Sequence, residues 1–317
     1  MSQASHDVRR RAPSAVAARG GRRAASRDTL TAYLFLAPYL ILFGVFVLLP
    51  AVIGLWISLH RYNFLLPNKP FIGLQNYADL FTRGSPTFDF FWQSMRATAV
   101  FTVTSVPLLM TVPLLVALLL NERFLGRTTF RALYFAPYVL GVAVVGIMWR
   151  YLLDPNIGFV HGLLSGLGIS VVIPWTTALP WVWISLVGVT VWWTLGFNAI
   201  IYLAGLQGIE HQLYDAAKVD GAGRWQRFWN VTLPGLRPVL FFVLTVTTLA
   251  SANMFGQSYV MTRGGPGNET RTAIMYIANQ GLQSYHMGSA AAMSYVLAAV
   301  LAVVSIVYAR GLGGRND

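Results

Sequence analysis

The sequence has no cysteine and few charged residues: 11% of its 317 positions are Asp, Glu, Lys or Arg, whereas 56% are hydrophobic. Without cysteine, the chain cannot form disulfides, thiolate nucleophiles or Cys-ligated metal sites. A soluble domain carries roughly 25% charged residues, and a chain with less than half of that share cannot cover a water-exposed surface. These absences exclude a soluble enzyme of ordinary shape and predict an integral membrane protein.

Catalytic motifs are missing as well. The only two lysines are Lys69, which precedes Pro70, and Lys218, which precedes Val219, so the GxxxxGK[ST] loop that holds the phosphates of ATP is absent. The five histidines are scattered without an HExxH pair, and no GxSxG nucleophile elbow occurs. We therefore expect no catalytic residue, metal or cofactor on this chain. If ATP drives its function, a separate polypeptide hydrolyses the ATP.

Six stretches are long and apolar enough to cross a bilayer as helices, which takes about 20 residues. They lie near residues 33–59, 98–120, 132–153, 181–207, 239–261 and 288–308. The predicted fold class is therefore an all-α polytopic membrane protein with six transmembrane helices. The stretch 156–180 carries no charge, but glycines and prolines interrupt it, which favours a broken amphipathic excursion over a seventh span.

Basic residues orient these spans. Seven arginines lie within the first 27 residues, and by the positive-inside rule such a tail stays in the cytoplasm, which is favoured over binding to nucleic acid. With both termini inside, the inner segments hold sixteen basic residues and the outer segments seven. The predicted organisation is a disordered Arg-rich tail (1–29), a transmembrane domain (30–310) that contains a cytoplasmic loop (208–234), and a cytoplasmic C-terminal tail (311–317).

Ionisable residues are missing from the interiors of the spans, and Arg96 and Arg150 lie only at edges. Ion-coupled transporters usually place such residues at membrane depth. An ATP-independent secondary transporter or channel for a small polar solute is weakened but stays open, because backbone carbonyls can bind sodium. A membrane-embedded transferase acting on lipid-linked sugars is a further alternative, and Asp89 or Asp154 would be its best acidic group.

The inner loop 208–234 begins with a short helix that ends at a glycine. Small and apolar residues recur at i, i+3 and i+4 up to Ala217. Asp220-Gly221 then supplies a stop, because glycine accepts the left-handed conformation found after helix C-termini. The loop is therefore predicted to turn sharply at Gly221.

A second short helix follows the turn. Trp225, Phe228 and Trp229 share one of its faces, and Pro234 keeps it from running straight into the fifth span. Together the two helices predict a compact elbow. In one interpretation, the aromatic residues of the elbow lie among lipid headgroups. In the other, the elbow docks to another protein, and its small alanines allow the surface of that protein to approach closely.

The sequence of this elbow resembles a known motif. The EAA loop of ABC importer permeases has the pattern EAA-x2-DGA-x8-I-x-LP, and the chain matches its spacing at every step, with Asp in place of Glu and Val in place of Ile. The matching residues are Asp215-Ala216-Ala217-x2-Asp220-Gly221-Ala222-x8-Val231-x-Leu233-Pro234. Two further segments resemble the carbohydrate (MalF-like) branch of these permeases. They are Phe71-Ile72-Gly73-Leu74-x-Asn76-Tyr77 and Tyr259-x2-Thr262-x-Gly264-Gly265-Pro266-Gly267-x2-Thr270.

The resemblance implies a type I ABC importer permease of MetI-like architecture in the bacterial cytoplasmic (inner) membrane. It implies a heterodimer with a second permease, two ATPase subunits that carry ATP and Mg, and an extracytoplasmic solute-binding protein. ATP binding would pull the docked elbows together and rock the spans between inward-open and outward-open states. The implied coupling residues are Asp215, Ala216, Ala217, Asp220, Gly221, Ala222, Trp225, Phe228, Leu233 and Pro234.

A sugar pathway needs hydrogen-bonding side chains and aromatic faces. The fourth and fifth spans offer candidates for it, although polar residues also join membrane helices to one another. These candidates are Trp192, Trp193, Asn198, Asn253, Gln257, Ser258 and Tyr259. The solute itself stays open among disaccharides such as trehalose or maltose, oligosaccharides, polyols and glycerol phosphodiesters.

Overall fold

A computed structural model describes residues 33–122, 124–168 and 171–313. The predicted tail at 1–29 lies outside the described residues, as do the last four positions of the predicted C-terminal tail. The chain divides into two compact units, residues 1–56 and 57–317. The described part of the first unit is one apolar helix, and every contact reported below lies within the second unit.

Twelve helices are described. They are α1 (Tyr33–Ser58), α2 (Gln75–Phe81), α3 (Pro86–Asn121), α4 (Arg127–Val139), α5 (Val142–Leu152), α6 (Phe159–Gly166), α7 (Trp181–Gln207), α8 (His211–Val219), α9 (Arg224–Gly235), α10 (Arg237–Ala252), α11 (Ala273–Ala278) and α12 (Met287–Gly313). Separate π-helical turns occupy Ser258–Thr262 and Asn279–Gln283. No β-strand occurs in the described ranges.

Four of these helices, α1, α3, α7 and α12, are each long and apolar enough to span a membrane. The pairs α4–α5 and α9–α10 pass the same test together, which brings the number of spans to six if each bent pair counts as one. The predicted all-α polytopic fold class is confirmed.

The third predicted span, 132–153, was wrong as a continuous helix. The chain bends by 99° between α4 and α5. Pro137 lies in the last turn of α4, and Gly141 starts α5 from an extended conformation. The carbonyl of Leu140, freed at this break, accepts a hydrogen bond from Trp193 Nε1 at 3.0 Å. A partner on another helix therefore satisfies the broken backbone, as membrane helices require.

The fifth predicted span, 239–261, was wrong at its C-terminal end. Helix α10 stops at Ala252, and the Asn253 side chain donates back to the carbonyl of Leu249 at 2.8 Å. At its other end, α10 meets α9 at a bend of 67°. This bend lies at Leu236, two residues after Pro234, whereas the sequence predicted Pro234 itself to separate the elbow from the span.

Helix α7 lies at the centre of the second unit, where it packs against α3, α4 and α10. Its core side chains form two clusters, one around Leu186 and one around Tyr202. Because α3 is 36 residues long, its two ends are about 50 Å apart. The end at Asn121 lies beside the elbow, and the end at Pro86 lies on the opposite side of the bundle.

Both sequence segments that resemble carbohydrate permeases are held by hydrogen bonds at this opposite end. Asn76 Nδ2 donates to the carbonyls of Ser58 and His60 at 2.7 and 3.0 Å. The hydroxyl groups of Thr262 and Thr270 lie 2.8 Å apart, and Thr270 also donates to the carbonyl of Gly265 at 2.7 Å. The motif residues therefore fix the conformation of the loops that follow the spans.

Candidate functional site

The first arm of the elbow is α8, which ends in a Schellman motif at Gly221. The Gly221 amide donates to the carbonyl of Lys218 at 3.0 Å, and the Ala222 amide donates to that of Ala217 at 2.8 Å. These bonds satisfy carbonyls that the helix end leaves without partners. Gly221 has a φ of +77°, a left-handed conformation that costs other L-residues about 1–2 kcal/mol. The predicted glycine stop is confirmed.

The second arm is α9, which starts at Arg224 and has Gly223 as its N-cap. The Gln226 side chain reaches back and accepts a hydrogen bond from the Gly223 amide at 2.8 Å, so one free amide at the helix start is satisfied. Further along, the amide of Leu233 bonds to the carbonyl of Phe228, which widens this turn into a π-helix. The widening precedes Pro234, which has no amide hydrogen to donate, so the helix passes through the proline.

Two contacts join the arms of the elbow to each other and to the bundle. The hydroxyls of Tyr214 and Thr232 lie 3.0 Å apart, and Thr232 is buried. Ile209, between α7 and α8, packs against Gly235, where an added Cβ would lie 2.9 Å from Ile209 Cδ1. The buried cluster around Tyr202 continues this packing through Leu236. The elbow is therefore joined to the ends of α7 and α10 by packed side chains.

The outward surface of the elbow is not packed against the chain. Val219 is 88% exposed and Trp225 is 71% exposed. Asp215 and Lys218 form an exposed ion pair at 2.8 Å. The hydrogen bond from Lys218, and then its charge, hold the pKa of Asp215 below its usual value. Such an exposed pair adds little stability, so Asp215 is kept ionised on a surface that is open to a partner.

The predicted coupling residues come together on this elbow. Asp215, Ala216 and Asp220 are exposed, and Ala222 follows the turn. Trp225 stacks on Phe228 with ring centroids 5.7 Å apart. Trp229 also contacts both rings, with centroid distances of 5.8 Å to Trp225 and 5.5 Å to Phe228. The other predicted coupling residues supply the turn and the connection to α10; they are Ala217, Gly221, Leu233 and Pro234.

Neither Tyr214 nor Thr232 belongs to the specified positions of the motif that the sequence matches, yet the hydrogen bond between their hydroxyl groups joins the two arms. We expect Tyr214→Phe to lower the stability of the protein by about 1 kcal/mol, since one partly buried hydrogen bond is lost. The resemblance of the elbow to the EAA loop implies a separate ATPase. Because the arms would then move more independently, the activity of that ATPase in an assembled complex is expected to respond less to solute. The measurement is thermal unfolding together with solute-stimulated ATP hydrolysis.

Tyr285→Phe is the matched control, because Tyr285 is exposed and its hydroxyl has no hydrogen bond to the described residues. Equal stability and equal stimulation for Tyr214→Phe and Tyr285→Phe would contradict the assigned role of the Tyr214 hydroxyl.

A central cavity of ≈ 460 Å³ lies between α3, α7, the bend before α5 and the end of α10. Four predicted pathway residues lie on its wall: Trp193, Asn198, Asn253 and Gln257. The Asn198 amide donates to the carbonyl of Leu109 at 3.3 Å. Gln257 is 8% exposed, and its amide has no hydrogen bond to the described part of the chain. It is therefore free to bond a solute.

The other three predicted pathway residues lie elsewhere. Trp192 packs edge-on against Trp149 at 5.3 Å within the core. Ser258 is fully buried and donates to the carbonyl of Thr270. Tyr259 lines a second cavity, of ≈ 810 Å³, at the end of the bundle opposite the elbow. The structure thus brings four of the seven residues to one wall and separates the rest.

Sequence reasoning missed the aromatic side of the central cavity. Tyr138 stacks on Phe197 with ring centroids 4.8 Å apart, and both rings line the cavity beside Trp193. Tyr138 reaches this place because the chain bends just after it. A straight third span, as predicted, gave no reason to place Tyr138 on the wall of this cavity.

Asp154 is one of the two acidic groups that a transferase could use. Its side chain is held by hydrogen bonds within the loop that follows α5. Its carboxylate accepts hydrogen bonds from the amides of Asn156 and Ile157 at 2.9 and 3.1 Å. These bonds hold the pKa of Asp154 below its usual value. A carboxylate that stays ionised in this way is a poor proton donor at neutral pH.

Comparisons with known proteins agree with this geometry. The family model "Binding-protein-dependent transport system inner membrane component" matches residues 88–311. The chain is 35% identical over 286 residues to the trehalose/maltose transport system permease protein MalF of Thermococcus litoralis, covering 90% of this chain and 95% of that protein. It is 33% identical over 307 residues to the arabinooligosaccharides transport system permease protein AraP of Bacillus subtilis, covering 93% and 92%.

A solved structure gives the same result for the fold. The chain resembles a chain of a bacterial alginate ABC transporter crystallised with an alginate pentasaccharide-bound periplasmic protein. The TM-score is 0.76 at 26% identity, and the match covers 91% of this chain and 95% of that one.

Proposed function

Because this chain belongs to the family of binding-protein-dependent transport system inner membrane components, we propose that it is the permease subunit of a saccharide importer driven by a separate ATPase. The chain is a transport subunit and not an enzyme. A saccharide is the proposed solute because the similar MalF and AraP proteins and the alginate transporter are all named for saccharides. The observation that carries the proposal is the rigid elbow at Gly221, whose outward face has no partner within the described chain.

The proposed role of the elbow is to transmit motion from the ATPase. ATP and Mg would bind to the partner subunits, and this chain would bind no cofactor of its own. Since Ile209 and Leu236 pack the elbow against α7 and α10, a displacement of the elbow would move both helices. An ATPase dimer that holds the elbow differently in its open and closed states would thereby shift the permease between two states.

The proposed pathway runs past the central cavity. A second, homologous permease would supply the other wall, and an extracytoplasmic binding protein would deliver the solute at the end opposite the elbow. This arrangement requires the elbow and both termini to face the cytoplasm, which the distribution of arginines favours. Gln257 and Asn198 would bond solute hydroxyls, while Tyr138 and Trp193 would face the apolar side of a sugar ring.

The proposal is tested by assembling the chain with its partner permease, the ATPase subunits and the binding protein in vesicles. Solute uptake should require ATP, and saccharides should raise ATP hydrolysis. Asp220→Arg, on the exposed face of the elbow, should abolish both activities while the protein stays in the membrane. Solute movement by the chain alone, unaffected by Asp220→Arg, would instead support the secondary transporter or channel.

The free amide of Gln257 leads to a prediction about the pathway. We expect Gln257→Met to lower saccharide uptake about tenfold, because a solute hydroxyl left without a partner costs about 1–3 kcal/mol. Methionine keeps the length of the side chain, so the packing of the wall should be preserved. The measurement is uptake as a function of saccharide concentration in the assembled complex.

Thr194→Val is the matched control on the same wall. The Thr194 hydroxyl already donates to the carbonyl of Thr190 at 2.9 Å within its own helix, so its loss should change uptake little. If Gln257→Met and Thr194→Val reduce uptake equally, the proposal that the Gln257 amide bonds the solute is contradicted.

A further inference from the structure

A third cavity, of ≈ 580 Å³, lies on the inner side of the elbow. Its walls come from both arms of the elbow and from the last turns of α3 and α7. We propose that this basic cavity binds the phosphate group of an anionic ligand, and that the bound phosphate joins the two arms of the elbow. The basic cavity is defined by six of its lining residues: Leu118, Glu122, Leu206, Lys218, Arg224 and Arg227.

The charge of the basic cavity is positive. Lys218 lies on the first arm, and Arg224 and Arg227 lie on the second, against one carboxylate, Glu122, at the end of α3. Asp215 offsets part of the charge of Lys218, with which it pairs at 2.8 Å from outside the lining. The two arginines form no ion pair with any described carboxylate. The lining of the basic cavity therefore has an excess of two positive charges when histidine is neutral, and Asp215 reduces this excess from outside the lining.

Arg227 supplies hydrogen-bond donors to the basic cavity. It is half-buried, and its Nε is fully buried with no hydrogen-bond partner among the described residues. A buried donor without a partner costs about 1–3 kcal/mol, and more when it is charged. The planar guanidinium offers parallel N–H groups that match two oxygens of a phosphate. Because Nε is closed to solvent, a phosphate in the basic cavity would bind the terminal N–H groups of Arg227, and the neighbouring Arg224 and Lys218 would share its charge.

The location of the basic cavity gives the phosphate a mechanical effect. Lys218 immediately precedes the turn at Gly221, and Arg224 and Arg227 follow it. A phosphate that contacts both sides would hold the arms together, adding to the Tyr214–Thr232 hydrogen bond. We therefore expect a bound phosphate to strengthen coupling between the elbow and the helices.

Two sources could supply this phosphate, and both present the same chemistry. Leu118 and Leu206 line the basic cavity at the ends of two membrane-spanning helices, where the headgroups of phospholipids lie. Trp229, on the same short helix, is 50% exposed, and tryptophan favours this depth in a membrane. Free phosphate from the surrounding solution is the other source.

The experiment uses the complete complex in lipid nanodiscs of three kinds. One contains phosphatidylcholine alone, one contains added phosphatidylglycerol, and one contains phosphatidylcholine with inorganic phosphate in the buffer. Native mass spectrometry counts retained phosphatidylglycerol, and solute-stimulated ATP hydrolysis reports coupling. Thermal unfolding without nucleotide detects phosphate binding at the basic cavity as the part of the shift that Arg227→Gln removes, because the ATPase subunits also bind phosphate, the product of ATP hydrolysis. We expect phosphatidylglycerol or phosphate to be retained, to raise the unfolding temperature and to increase stimulation.

Charge-removing variants locate the site. Arg227→Gln and Arg224→Gln should each weaken retention about fivefold, the amount expected for one basic residue near an anionic headgroup. Arg83→Gln removes the same charge at the opposite end of α3 and should have no effect. Binding of phosphatidylglycerol or phosphate is first measured on the wild-type complex. A variant that fails to fold therefore does not leave the proposal untested.

The binding measurements distinguish a lipid headgroup from free phosphate as the source of the bound group, and they also show when the proposal is wrong. Retention of phosphatidylglycerol without an effect of phosphate assigns the phosphate to a lipid, and the reverse assigns it to the solution. The proposal is overturned if neither is bound, or if Arg83→Gln weakens binding as much as Arg227→Gln. It is also overturned if Arg227→Gln releases the ATPase in pure phosphatidylcholine, because the arginine would then contact that protein. Saccharide-stimulated ATP hydrolysis in phosphatidylcholine tests the proposed function independently of all these outcomes.

Discussion

Replacing Gly221 with proline is expected to abolish ATP-driven uptake while the protein remains in the membrane. The native φ is +77°, whereas proline fixes φ near −65°. Proline also removes the amide that donates to the carbonyl of Lys218 at 3.0 Å. The turn between the two arms would then be lost, and a docked ATPase would no longer move both arms together.

A graded series at Gly221 separates backbone conformation from crowding. A Cβ added at Gly221 meets no atom of this chain within 4 Å, so within the chain substitutions there act through the backbone. Gly221→Ala should cost about 1 kcal/mol and reduce uptake partly, whereas Gly221→Asn should retain more activity because asparagine tolerates the left-handed region. The measurements are uptake, ATPase co-purification and the amount of protein in the membrane.

Gly223→Ser is the matched control two residues away. Gly223 has an ordinary φ of −66° and precedes the second arm, where serine is a favourable N-terminal cap. Uptake should therefore stay near the wild-type level. Full activity of Gly221→Pro, or equal losses for Gly221→Asn and Gly221→Pro, would refute the role of the left-handed turn.

The elbow could be predicted from the sequence because its determinants are local. The helical spacing up to Ala217 and the glycine after Asp220 lie within a few residues of the turn they cause. Tyr214 and Thr232 could not be paired in the same way, since they are 18 positions apart and meet only when the turn has formed.

The bends in the third and fifth spans depend on distant partners. The hydropathy of residues 132–153 shows that they are apolar, but the break at Leu140 is stabilised by Trp193, which lies 53 positions away.

The placement of the predicted pathway residues also depends on contacts with residues that are distant in the sequence. Ser258 and Gln257 are neighbours in the sequence, but Ser258 donates to the backbone of a loop, whereas Gln257 lines the central cavity. The sequence alone does not show which of the two faces the cavity.

The close contact between α4 and α7 leads to the second large expected effect. Gly196 of α7 lies against the backbone of α4, and an added Cβ would lie 2.4 Å from the carbonyl oxygen of Tyr134 and 2.6 Å from Phe135 Cα. Both obstacles are backbone atoms, so no side-chain rotation can relieve the clash. We expect Gly196→Ala to destabilise the protein by about 3 kcal/mol or more, the upper part of the range for overpacked cores.

Function should be lost along with this contact, because the same interface forms the aromatic side of the central cavity. Displacing α4 would separate Tyr138 from Phe197, which now stack at 4.8 Å, and would weaken the bond from Trp193 to Leu140 at the bend. Saccharide uptake and saccharide-stimulated ATP hydrolysis should therefore both fall, and the assembled complex should unfold at a lower temperature.

Gly188→Ala is the control for Gly196→Ala, because it makes the same chemical change in the same helix. An added Cβ at Gly188 meets nothing within 4 Å, and alanine favours a helix over glycine by about 1 kcal/mol. Gly188→Ala should thus be neutral or stabilising. If the two variants unfold at the same temperature and transport equally well, the close approach of α4 to α7 does not hold the central cavity in shape. If Gly196→Ala alone fails, the glycine is required because two backbones meet there, and the geometry of the cavity depends on that contact.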